Sequence, residues 1–126
     1  MSVLQVIDQG FRTTNEEQDD TILWLVQSMR GAGADVDVLL SGHGVHYSVL
    51  SKVQPALSFG QWQQSQPAEL PKDIDNLIAS GVKVYVVKED LAERGMRDLP
   101  QIEGTSLISR SDLAGLYQAS EQVWHW

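Results

Sequence analysis

Arg12-Thr13-Thr14 supplies one guanidinium and two hydroxyls just ahead of a helical stretch, the equipment for cradling an anion at a helix N-terminus. A helix cap with a surface arginine beside it would use the same residues, and the glycine-rich signatures of phosphate loops are absent. His43 and His46 stand three apart, so a helix would bring both to one metal ion, with His125 as a distant third ligand. No acidic residue lies at the spacing of a known zinc motif, so two loop histidines are the plainer reading and no metal is expected. Ser41-Gly42-His43 lacks the G-x-S-x-G elbow of a serine nucleophile and reads as a turn. Val123-Trp124-His125-Trp126 sets two tryptophans on the same face of a strand, fit for core packing or for a subunit interface.

These residues need elements to position them, and the hydrophobic pattern supplies five strands. Residues 3–7 form a short, β-branched run closed by Asp8-Gln9-Gly10, hence a buried strand. A helix follows from about residue 16 to residue 30, with Thr14 and Glu17 at capping-box spacing and Gly31 and Gly33 at its end. Its apolar residues Ile22, Leu25, Val26 and Met29 make one face, and Leu23 and Trp24 widen it, as for a helix that meets both a sheet and a neighbouring subunit. Residues 35–40 form the second strand and residues 45–50 a short helix. Residues 51–69 read as a long loop with isolated Phe59 and Trp62. A helix opens near Pro71 and Gly81 closes it; the clearest strand, residues 82–87, comes next. A short helix at 91–94, a weaker strand at 105–108, a helix from Ser111 and a closing strand at 122–126 complete the chain.

Such alternation predicts a single α/β domain over residues 1–126: a flavodoxin-like, three-layer arrangement with a five-stranded, mainly parallel sheet and helices on both faces. For the strand order 2-1-3-4-5 the winding reverses between strands one and three, where ligands sit in open parallel sheets. That rule points to a binding site built from Arg12, Thr13, Thr14, His43 and Lys88. A phosphoacceptor receiver domain of similar winding would need paired acids after strand one and an aspartate ending strand three; Asp8 stands alone and Val87-Lys88 occupy the second place.

The 126 residues carry 17 acidic and 9 basic side chains, a formal charge of −8, which repels a phosphate backbone and argues against nucleic acid. No apolar run reaches membrane-span length and no signal peptide is evident at the start, so a cytoplasmic protein is expected. There is no cysteine. Disulfides, thiolate metal sites and thiol nucleophiles on this chain are thereby excluded.

Three segments together resemble the DsrE/DsrF-like family of sulfur-relay proteins. They are Met29-Arg30-Gly31-Ala32-Gly33-Ala34 with Val36 to Leu40 and Gly44-Val45; Gly81 to Val87 running on to Glu93-Arg94-Gly95-Met96; and Ser111 to Leu116 leading to Glu121 through Trp126. The resemblance implies a flavodoxin-like domain that assembles into trimers or hexamers, and a cysteine ending the third strand that accepts and passes on a persulfide. Counting back from Arg94-Gly95, that position falls at Val87, or at Lys88 if the loop differs by one. The expected function is therefore a non-catalytic, accessory subunit in intracellular sulfur trafficking, without a cofactor, self-associating through Trp24, Trp124 and Trp126 and meeting a cysteine-bearing homologue. The alternative is a protein that binds a small anionic ligand or nucleotide in the vacated pocket.

Overall fold

The computed structural model describes residues 2–10, 21–50, 58–63 and 70–126. Five parallel strands form one sheet: β1 (Ser2–Ile7), β2 (Asp35–Leu40), β5 (Val84–Val87), β6 (Ser106–Ile108) and β7 (Gln122–His125). A two-stranded antiparallel hairpin, β3 (Ser58–Phe59) with β4 (Trp62–Gln63), stands apart. The helices are α1 (Thr21–Gly31), α2 (Leu70–Ala79), α3 (Lys88–Glu93) and α4 (Leu113–Gln118), with 3-10 turns at Gly42–Ser48 and Arg110–Asp112.

Alternation along the strands divides the core. Ile7, Val36, Val38, Leu40, Val84 and Val86 face one way and pack with Ile22, Leu23 and Val26 of α1 and Leu70, Ile74 and Leu77 of α2. Leu4, Val6, Leu39 and Val87 face the other way, against Leu113, Leu116 and Tyr117 of α4. Helices therefore cover both faces, as the α/β pattern predicts. The helix at 91–94 is longer than expected and begins directly after β5, at Lys88. The stretch at 45–50 is a 3-10 turn starting at Gly42. The expected loop 51–69 contains the hairpin, whose exposed Phe59 stacks on Trp62 with ring centroids 5.9 Å apart. The Thr14–Glu17 capping box lies outside the described residues.

Strand order departs from expectation. The sheet runs β6-β5-β2-β1-β7, so the third strand of the sheet pairs with β2 and not with β1. Burial explains why. Val38, Leu39 and Leu40 are fully buried on both faces of β2, which an edge strand could not achieve, whereas the order 2-1-3-4-5 would put β2 on the edge. β6 and β7, with exposed Ser106, Leu107, Gln122 and Trp124, take the edges instead. The winding thus reverses between β1 and β7.

Trp126 prolongs the β1–β7 ladder: its amide donates to the Val6 carbonyl and its carbonyl accepts from the Asp8 amide. Its indole turns onto the α1 side of the core, where Nε1 donates to Oε1 of fully buried Gln5 at 2.6 Å. The Gln5 amide nitrogen faces the Met29 sulfur at 3.6 Å, so both ends of this buried amide have partners.

Candidate functional site

The carboxyl ends of the strands carry the polar side chains that the core does not need. At β5, Val87 is buried with its side chain in the α4-side core, and Lys88 is exposed as the first residue of α3. Of the two positions at which the resemblance puts a sulfur-carrying thiol, one therefore holds a buried branched alkyl group and the other an exposed ammonium. Beside it, Asp90 ties three loops together. Its Oδ2 accepts from the Gly42 amide after β2 at 2.8 Å, and its Oδ1 receives Nη2 of Arg110, after β6, at 2.5 Å. The same guanidinium reaches Glu93 at 3.1 Å, and the Arg110 amide donates to Glu89 at 2.6 Å. Burial alone would push Asp90 up; the Gly42 amide and the Arg110 guanidinium outweigh it and hold its carboxyl below its ordinary value. Hydrogen bonds to Asp90 and then Glu93 raise Arg110 in turn. This clasp is structural: Asp90 and Glu93 are both paired with the Arg110 guanidinium.

A second polar cluster lies where the winding reverses. Asp8 follows β1 and Ser41 follows β2, side by side because Ile7 and Leu40 are paired in register. The nearly buried Ser41 hydroxyl donates to Asp8 Oδ1. The other carboxylate oxygen lies 3.6 Å from Nδ1 of His125, the last residue of β7. Tyr117 of α4 meets the His125 ring edge-on, with centroids 6.2 Å apart at 80°. Burial, and then the Asp8 charge, push the Tyr117 phenol up. Gly44 makes the close approach of these loops possible, since a Cβ there would sit 2.0 Å from the Ile7 carbonyl oxygen.

Of the sequence-predicted site residues, Arg12, Thr13 and Thr14 lie outside the described residues. His43 and Lys88 are both exposed, on adjoining loops joined by the Gly42–Asp90 hydrogen bond. The premise that the loops after β1 and β5 face each other across the reversal is corrected, because β2 lies between those strands. His43 stacks on His46 at 6.2 Å while His125 turns to Asp8 and Tyr117, so the three histidines do not converge. Among the described residues, no three histidine, aspartate or glutamate side chains gather around a metal position. Trp24 is 57% and Trp124 37% exposed, whereas Trp126 is half-buried against the core. Sequence reasoning missed the Ser41–Asp8–His125 cluster. Its one legible signal was a polar residue directly after two strands, at Asp8 and Ser41, and one closing a third, at His125.

A family model described as the DsrE/DsrF-like family matches residues 2–125. No curated protein matches the chain. Among solved structures, the ychN protein from E. coli is similar with a TM-score of 0.75 at 18% identity, covering 99% of this chain and 98% of that one. MTH1491 from Methanobacterium thermoautotrophicum, a protein of unknown function, has a TM-score of 0.58 at 19% identity, with coverage of 99% and 98%. At such identities the likeness establishes a shared fold, and the family match adds descent: this chain, without a single cysteine, belongs to the DsrE/DsrF-like family.

Proposed function

We propose that this protein is an accessory, non-catalytic subunit in intracellular sulfur trafficking, giving shape and contacts to a thiol-bearing partner instead of carrying sulfur itself. One observation bears most of the weight: a family resembling sulfur-relay proteins is represented here by a chain with no thiol, and the expected thiol position falls at Val87 or Lys88. Persulfide transfer needs a thiolate to attack the donor and hold the sulfur covalently, which serine, histidine, lysine and methionine do not provide. Glu89 Oε1 and Arg94 Nε support the reading. Both are buried atoms on or just after α3 with no hydrogen-bond partner among the described residues, as expected of a surface that a neighbour completes. Exposed Trp24 and Trp124 suit self-association, and the absence of cysteine suits a reducing cytoplasm. Trp126, committed to Gln5, contributes to that interface only through what its packing leaves exposed.

The anionic-ligand reading keeps His43 and Lys88 at one end of the sheet but meets Asp8, Glu89, Asp90 and Glu93 there, which repel an anion. Co-purification separates the two. Affinity capture of the tagged chain should retain a cysteine-bearing family member encoded in the same genome. Absence of that complex, together with a rise in melting temperature on adding a nucleotide, would replace the accessory reading with the ligand one.

A further inference from the structure

In an open parallel sheet the crevice at the winding reversal is where a ligand enters, and here it lies at the carboxyl ends of β1 and β7. Four elements converge there: Asp8 after β1, Ser41 after β2, Tyr117 from α4 and His125 from β7. The fold gains little from this cluster, since the Asp8 and His125 side chains are 48% and 56% exposed. What the cluster does have is order. The Ser41 hydroxyl engages Oδ1 of Asp8 and so aims Oδ2 at Nδ1 of the imidazole. Tyr117 fixes the ring from its edge. A carboxylate on Nδ1 directs the opposite nitrogen, Nε2, away from itself, and it stabilises the imidazolium that forms when Nε2 takes a proton. The 3.6 Å separation is looser than a hydrogen bond, as unliganded acid–base pairs often are.

We propose that Asp8 and His125 form a proton-accepting pair, and that its substrate is a thiol presented at the β1–β7 mouth. The ligand class rests on the accessory reading above, narrowed here from non-catalytic to carrying no sulfur itself; the proton chemistry rests on the geometry. The S–H bond breaks and an Nε2–H bond forms. The electron pair stays on sulfur as thiolate, and the new imidazolium is balanced by the Asp8 carboxylate. No electron changes hands. His125 would touch the substrate, whereas Asp8 and Ser41 are positioning residues. A protein with no thiol of its own would in this way raise the nucleophilicity of a partner's thiol without competing for the sulfur.

The missing cysteine makes the test clean, because every thiolate detected comes from the probe. Mercaptoethanol and the neutral disulfide dithiodipyridine are mixed at neutral pH with the full chain, and release of the coloured thiopyridone is followed. The expected rate is about threefold or more above that with free imidazole at the same histidine concentration. His125→Gln, which leaves His43 and His46 in place, should return the rate to the imidazole level. Asp8→Asn should do the same, and Asp8→Glu should recover part of the gain. Nitrogen NMR of the imidazole shows whether the pair is formed, with the proton expected on Nδ1 in the native chain and over both nitrogens in Asp8→Asn; recovery of the rate in Asp8→Glu is the readout that a purely structural role would not move. A rate no greater than that of imidazole, or a gain that survives His125→Gln, overturns the proposal. Because the probe is a small thiol, that failure would not touch the accessory reading, which stands or falls on co-purification.

Discussion

Asp90 shows how one carboxylate holds the carboxyl end of the sheet together. It links the loops after β2, β5 and β6 through the Gly42 amide and Arg110, and it remains ionised below the usual carboxylate range. A group with a lowered folded pKa contributes stability above its unfolded value and loses it as the pH falls through the folded one. Asp90→Asn should therefore cost about 1 kcal/mol at neutral pH. The difference from the native chain should shrink as the pH drops below 3.8, the ordinary value for this group. Urea unfolding at neutral and acid pH measures both. Gly44 sets a harder limit. A methyl group there would overlap the Ile7 carbonyl at 2.0 Å, so Gly44→Ala should lower stability by more than about 3 kcal/mol or abolish folding, as read by thermal melting. The glycine was legible in the sequence as a turn, but its purpose was not. That purpose depends on β1 and β2 ending side by side.

At the scale of elements, strands and helices were readable because each buries a distinct pattern: a short apolar run in β1, alternation passing into an apolar run in β2, an i, i+3, i+4 stripe in α1 and α2. Strand order was not readable from local pattern, since it depends on which strands are buried on both faces, and β2 proved to be one of them. The candidate site inherited the difference. Asp8 and His125 come from opposite ends of the chain and meet only because β7 joins the sheet beside β1. That join is secured by Trp126, whose indole bonds to Gln5 across the ladder. Trp126→Ala should cost about 2–3 kcal/mol in urea unfolding, less than a fully buried tryptophan, because part of the ring is already exposed. It should also loosen His125, visible as loss of the cross-peaks between the His125 and Tyr117 rings in NMR spectra.

The whole molecule joins the DsrE/DsrF-like fold to a composition without cysteine. The formal charge is −8, and no helix among the described residues is long and apolar enough to cross a membrane. What remains for function is surface: exposed Trp24 and Trp124, the hairpin carrying Phe59, and the polar ends of the strands. Under the proposed function the chain works on a partner's thiol and never holds the sulfur. This is tested most directly by native mass spectrometry of the purified protein mixed with a persulfide-loaded, cysteine-bearing family member from the same genome. The expected result is a complex containing both chains, with the additional sulfur found only on the partner when the complex is dissociated. Failure of the two chains to associate, or a mass gain of one sulfur atom on this chain, would contradict it.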